Sequence, residues 1–171
     1  MGDSLVLAGE RVTMRRLIEA DLPRLLEIVH QPGVVEWWHG YDLERLRGDT
    51  LDARDAVSLA IESDGAFVGL VMFTEQPDPY YRSAGIDITL APGVLGKGLG
   101  SDVLRTLCRY LFEERGHHRI TIDPALANER AIAAYRKVGF RDVGVMREYE
   151  RGPDGVWHDN LLMDMLEGEL R

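Results

Sequence analysis

Residues 91–116, "APGVLGKGLGSDVLRTLCRYLFEERG", place three glycines at alternate positions, Gly96, Gly98 and Gly100, directly ahead of a helical stripe. The stripe is Gly100, Val103, Leu104, Leu107 and Leu111, with the i, i+3, i+4, i+7 recurrence of an amphipathic helix. A glycine turn running into a helix can aim successive backbone N–H groups at one point, where the positive end of the helix dipole also lies. A pyrophosphate suits such a place, and the other reading is a plain flexible turn. Two stock phosphate motifs fail here. A Walker A loop built on Gly96-Lys97 needs Gly at position 91 and Ser or Thr at 98, where the chain has Ala91 and Gly98. A dinucleotide G-x-G-x-x-G puts its third glycine at Ser101 or Val103, depending on where it starts.

The elements around the turn define the fold class. "RVTMRRL" (11–17) reads as a strand, and "EADLPRLLEIVHQPG" (19–33) as a helix with Leu22, Leu25, Leu26 and Val29 on one face. "YDLERLRGDTL" (41–51) reads as a short helix, and residues 56–75 as a hairpin about Ser63-Asp64-Gly65. "SAGIDITL" (83–90) is a strand leading into the glycine turn, and "RITIDP" (119–124) a strand stopped by Pro124. "NERAIAAYRKVGF" (128–140) is a helix with Asn128 as N-cap and Gly139 past its end. Residues 141–166 close as a hairpin about Gly152-Pro153-Asp154-Gly155. The order is β-α-α-β-β-β-α-β-α-β-β, which predicts an α/β protein with a mixed sheet and helices on both faces. The 171 residues suffice for one domain, 1–171, with its own core.

Charge and cysteine usage narrow the partners. The net charge of −9 argues against nucleic acid and permits a cationic small molecule. One cysteine, Cys108, forms no intrachain disulfide, so a reducing cytoplasm is expected. No apolar run approaches the ~18 residues that span a bilayer, and "MGDSLVLAGE" carries neither a signal-peptide pattern nor a myristoylation pattern. His30, His39, His117, His118 and His158 show no metal-ligand spacing, so no metal is expected. His117 and His118 are expected to be exposed or capping, and Trp157 to pack.

Asn128 taken alone is a helix cap, and Tyr135 taken alone is a core residue. Combined with the glycine turn thirty residues upstream, they form a pattern that resembles the GNAT superfamily of acetyl-CoA-dependent N-acetyltransferases. "AYRKVGF" is a common ending of the corresponding helix in that family, and the element order fits along nearly the whole chain. The resemblance implies a GNAT fold whose mostly antiparallel sheet splays at the cofactor. It assigns acetyl-CoA contacts to Ile88, Leu90, Leu95, Gly96, Lys97, Gly98, Leu99, Gly100, Ser101, Asn128 and Tyr135. In the family the Asn and the Tyr seven residues later serve the pantetheine arm and the thiolate. The family's turn opens with Gln or Arg where this chain has Leu95, which removes one phosphate contact and keeps the backbone cradle.

Three stretches bear on the acceptor. Glu36, Trp37 and Trp38 are either an aromatic and acidic wall for a cationic guest or a hydrophobic plug over the core. Asp87 interrupts an apolar alternation just before the turn, as a solvent-facing residue or as a base beside the acetyl group. Asp123 ends its strand as a turn residue or as part of the pocket. The blocks Val35 to Trp38, Gly85 to Asp87, Leu95 to Gly100 and Asp123 to Phe140 are together similar to the aminoglycoside 6′-N-acetyltransferases. That similarity implies Asp87 beside the acetylated amine and Asp123 holding a cationic sugar. The closing "VWHDNLLMDML" is more similar to broader GNAT relatives that act on siderophore precursors or ribosomal proteins. The expected activity is acetyl transfer from acetyl-CoA to a primary amine of a cationic small molecule, foremost the 6′-amine of an aminoglycoside antibiotic, with resistance as the consequence. The alternative is another amine, of a polyamine, a siderophore precursor or a protein N-terminus. Asp87 and Tyr135 are the expected catalytic residues, and Glu36, Trp37, Trp38, Asp87 and Asp123 are expected to hold the acceptor. The expected enzyme is a monomer or homodimer; an idle acyl-CoA sensor is the reading from another class.

Overall fold

The structure, a computed structural model, describes residues 5–171, so the N-terminal reading of residues 1–4 lies outside it. Among the described residues, one sheet contains β1 (Val6–Ala8), β2 (Thr13–Arg16), β3 (Ala56–Ser63), β4 (Ala66–Gln76), β5 (Ser83–Leu90), β6 (Arg119–Ile122), β7 (Arg141–Arg151) and β8 (Trp157–Leu166). Their spatial order is β1-β2-β3-β4-β5-β6-β8-β7. Four helices accompany them among the described residues: α1 (Leu22–Val29), α2 (Leu43–Thr50), α3 (Leu99–Glu113) and α4 (Glu129–Val138).

Alternation along the central strands produces two buried faces. Leu59, Ile61, Val71 and Phe73 pack with Val103, Leu107 and Leu111 of α3 and with Ile132 and Val138 of α4. Ala60 and Leu70, one position out of phase, pack on the opposite face with Leu22, Leu25 and Val29 of α1 and Leu46 of α2. The hairpin between β3 and β4 turns at Asp64 and Gly65, with φ of 52° and 75°. Both positive angles match the right-handed twist of the flanking strands.

One pair of strands departs from the antiparallel pattern. Helix α3 crosses over between β5 and β6, so these two run parallel. Their ladder holds only Ala84 against Ile120 and Gly85 against Thr121. Beyond Gly85, β5 continues to Leu90 in register with β4, while β6 ends at Ile122 before Pro124. The sheet therefore opens into a wedge, with Asp87 on one side and Asp123 on the other.

Several expectations are corrected. Strand β1 was not foreseen, because three residues are too few to show alternation. Helix α1 is shorter than predicted, preceded by a single 3-10 turn at Glu19–Asp21. His117 is 2% exposed rather than solvent-facing. The turn at Gly116 (φ 68°) folds it back so that its N–H donates to the Leu111 carbonyl at 3.0 Å and its ring nitrogen lies 2.7 Å from Glu75. Trp157 is 55% exposed rather than packed, because the β7–β8 hairpin runs beyond the helices at that end.

Candidate active site

Gly96 and Gly98 have φ of 77° and 82°, a left-handed backbone that residues with a Cβ adopt only under strain. Gly98 immediately precedes α3, so the first-turn N–H groups of that helix open at the turn. The turn is tethered from outside. Asp102 accepts the N–H groups of Glu10, Arg11 and Val12 at 3.1, 2.8 and 3.2 Å, and the Arg11 guanidinium donates to the Lys97 carbonyl.

A cleft of about 670 Å3 runs from this turn along α4. Ile88, Leu90, Leu95, Gly96, Gly98, Gly100, Ser101, Asn128 and Tyr135, all predicted cofactor contacts, line it. Lys97 and Leu99 do not: Leu99 is buried in the core, and Lys97 meets Arg11 through its carbonyl. Arg105, Arg130 and Lys137 also line it, although the sequence reading passed over them.

A second cleft, about 450 Å3, occupies the wedge between β5 and β6. The two clefts share Trp37, Trp38, Ile88, Asn128 and Tyr135, so they meet at one junction. Asp87 and Asp123 line the second cleft, as do Tyr41, Arg45, Tyr149, Glu150 and Asn160, which sequence reasoning missed. Glu36 does not line it. Its carboxylate accepts the Gly33 N–H at 2.8 Å and shapes the loop that carries Trp37 and Trp38. Trp38 is 8% exposed and 5.7 Å from the Tyr41 ring, so it is both core and wall.

Two local devices set the acids in place. The segment from Asp123 to Asn128 is laced to β8: Asn160 Nδ2 donates to the Asp123 carbonyl at 2.9 Å, and Leu161 N–H to the Pro124 carbonyl at 2.9 Å. Strand β7 bulges where it advances from Met146 to Glu150 while β8 moves only from Asn160 to His158. Glu148 takes a φ of 50° within that bulge, and its N–H donates to Asp159 at 2.8 Å. Bulges re-aim side chains, and this one brings Tyr149 and Glu150 to the cleft. His39 at the far rim pairs its Nε2 with the Arg151 carbonyl at 2.9 Å, joining the tryptophan loop to the hairpin.

The electrostatics follow from this crowding. Water reaches Asp87 through the cleft mouth, yet protein surrounds it on its other sides. Loss of hydration, then the charges of Asp123 and Glu150, push its carboxyl up to about 7, although the Ile88 N–H pulls the other way. Burial and the Glu150 charge raise Asp123 also, against a hydrogen bond from Tyr149. Burial, then Asp87 and Asp123, hold the Tyr135 hydroxyl well above its ordinary value. Arg45 does not neutralise the acids: it stacks on Tyr41 at 4.4 Å and pairs with Asp49 at 3.6 Å. The cleft is thus acidic, partly protonated at neutral pH, and walled by aromatic rings.

The model of the acetyltransferase (GNAT) domain matches residues 11–141. The chain belongs to the GNAT family of acetyltransferases. The aminoglycoside N(6′)-acetyltransferase type 1 of Klebsiella pneumoniae is 31% identical over 168 residues, covering 86% of this chain and 81% of the relative. The spermidine N(1)-acetyltransferase of Escherichia coli (strain K12) is 26% identical over 149 residues, covering 83% and 80%. A structure of AAC(6′)-Ib in complex with paromomycin and acetyl-CoA superposes with a TM-score of 0.75, with 28% identity over 92% of this chain and 94% of that one. The acetyl donor of this GNAT chain is acetyl-CoA. The cleft suits it, with backbone donors at one end, an apolar stretch of Val94, Leu95 and Leu104, and Tyr135 at the junction. Cys108 is fully buried, and burial pushes its thiol up, so it is built for packing rather than for carrying an acetyl group.

Proposed function

We propose that this GNAT enzyme acetylates a primary amine of a cationic small molecule, and that the 6′-amine of an aminoglycoside is its acceptor. The observation that carries this reading is the acidic cleft of Asp87, Asp123 and Glu150, walled by Trp37, Trp38 and Tyr41 and meeting the donor cleft at Tyr135. Clustered carboxylates beside an arginine that is engaged with Tyr41 and Asp49 favour a polycationic guest, and aromatic faces suit sugar rings and ammonium groups. The Klebsiella relative supports the aminoglycoside assignment. The Escherichia coli spermidine acetyltransferase supports a second reading, a polyamine acceptor in the same cleft.

In this reading the amine arrives as an ammonium and loses one proton to Asp87, directly or through a water. The neutral nitrogen attacks the thioester carbonyl, and the tetrahedral intermediate expels the CoA thiolate. The second nitrogen proton leaves as the amide forms and reaches the thiolate. Tyr135 stays protonated at neutral pH because its acidity is suppressed. A free thiol titrates near ~8.5, below an ordinary tyrosine near ~10. Full proton transfer from Tyr135 is therefore uphill, and its contribution is a hydrogen bond to sulfur as negative charge develops there.

Saturating CoA is expected to raise Tm by about 5–10 °C at a hundredfold excess over Kd. An unchanged melting curve would remove the donor-site assignment. Thiol release from acetyl-CoA then identifies the acceptor, measured against kanamycin-type compounds with a free 6′-amine, a 6′-hydroxyl analogue, spermidine, N-hydroxylysine and a peptide amine. Turnover with the 6′-amines and none with the 6′-hydroxyl analogue is the expected result. Turnover with spermidine alone would keep the acetyl transfer and replace the acceptor.

A further inference from the structure

Arg130 sits where helix electrostatics disfavour it. It is the second residue of α4, in the first turn, and the positive end of a helix dipole repels a cation there. Among the described residues its guanidinium has no carboxylate or carbonyl partner to offset this. It lies instead against the glycine turn, with Nη2 3.8 Å from the point a Cβ on Gly96 would occupy. Two helix N-termini and an unpaired cation thus converge on one cleft, whose lining contains no Asp or Glu among the described residues. That concentration of positive charge is unfavourable until an anion enters.

The neighbouring side chains leave this place to Arg130. Leu95 is apolar and packs against the core. Lys97 does not line the cleft. Arg105 donates its Nε to the Arg171 carbonyl at 2.6 Å, which ties one edge of its guanidinium to the last residue of the chain. Lys137 lies seven residues further along α4, about 10 Å from Arg130 along the axis. An anion on the Gly96 and Gly98 turn is within reach of Arg130 and remote from Lys137.

We infer that Arg130 is a pyrophosphate-binding residue, closing over the anion on the glycine turn and supplying the side-chain charge that Leu95 does not. The inference rests on acetyl-CoA occupying this cleft. A guanidinium suits the task because it presents paired N–H donors to phosphate oxygens.

The test compares wild type with Arg130→Gln and Arg130→Lys, using acetyl-CoA, 3′-dephospho-acetyl-CoA and acetyl-pantetheine as donors. Arg130→Gln is expected to raise KM for acetyl-CoA about tenfold or more, with kcat little changed. The same penalty is expected with the 3′-dephospho donor. With acetyl-pantetheine, which lacks the pyrophosphate, the two enzymes are expected to have similar kcat/KM. Arg130→Lys is expected to recover part of the loss. Without ligand, Arg130→Gln should melt no lower than wild type, because it removes a cation from a helix N-terminus. An unchanged KM for acetyl-CoA overturns the inference. So does a penalty that vanishes with the 3′-dephospho donor, which moves the contact to the 3′-phosphate, or one that persists with acetyl-pantetheine, which makes the role structural. If wild type fails to saturate with acetyl-CoA, the donor-site reading falls and the inference with it; saturation with identical variants removes the inference alone.

Discussion

Asp87→Asn is expected to lower kcat by about 10²-fold or more and to erase a rising limb of kcat/KM near pH 7. The expectation comes from the position of Asp87 on the splayed part of β5, in the acceptor cleft, with its carboxyl pushed up to about 7. A base whose pKa lies near the working pH combines a large deprotonated fraction with a useful affinity for the proton. In the free enzyme the carboxylate form increases as pH rises through about 7, so kcat/KM increases with it and then levels off. A bound ammonium stabilises the carboxylate, so the limb in kcat falls at lower pH than that in kcat/KM. Asparagine keeps the shape and removes the titration. A variant that loses rate with an unchanged pH profile would make Asp87 a binder of the cation rather than its base. Measuring kcat and KM separately adds a second discrimination, since loss of a binder alone appears in KM.

The same substitution should affect stability in the opposite direction. The folded pKa of Asp87 lies above its ordinary 3.8, so the folded protein holds this proton more tightly than the unfolded chain. Its contribution is fully present below about pH 4 and is lost as pH rises through about 7. Asp87→Asn does not undergo that loss. Its Tm is expected to match wild type near pH 4 and to exceed it at pH 8, by a modest margin because water reaches the cleft. A Tm difference independent of pH would remove the linkage. In the proposed reading, stability is spent at this position for chemistry, as expected where a carboxylate is held among others.

The fold was legible wherever local chemistry and tertiary demand coincide. Helix α3 has a full apolar stripe, the turn before it needs left-handed backbone at Gly96 and Gly98, and α4 begins at Asn128, whose side chain accepts the Ala131 N–H at 3.2 Å. Asp87 and Asp123 were legible as candidate acids, one just ahead of the turn and one at the end of the next strand, and the splay that leaves both lining one cleft follows from a parallel ladder only two pairs long. Other parts of the site depend on long-range geometry that a linear pattern does not display. Tyr149 and Glu150 belong to "REYER", which reads as a polar edge strand, and only the bulge against β8 aims them at the cleft. Arg130 reads as a surface residue until α4 docks beside the turn. Glu36 shows the reverse case: adjacent to Trp37 in sequence, it is committed to the Gly33 N–H. The exposed Arg in the first turn of α4, working against its dipole, was the one local irregularity that could have drawn notice.

Tyr135→Phe is expected to lower kcat by about 10²-fold with little change in KM for either substrate. Tyr135 lines both clefts at their junction, where the proposed reaction would bring the thioester and the amine together. Its ring packs against Phe140, with centroids 6.2 Å apart, and phenylalanine preserves that contact, so the variant should fold and bind. What it loses is the hydroxyl, whose hydrogen bond strengthens only as charge accumulates on sulfur. Interactions made only in the transition state appear in kcat. The leaving group provides a sharper test. An acetyl thioester of a more acidic arylthiol needs less help at sulfur, so the penalty of Tyr135→Phe should shrink with that donor. A penalty of equal size with both donors would assign Tyr135 to positioning rather than to the departing thiolate, and a pure KM effect would remove it from the chemistry. Because burial and the neighbouring acids suppress its ionisation, no pH dependence from Tyr135 is expected between pH 6 and pH 9. Any limb in that range belongs to the acids of the acceptor cleft or to the amine itself.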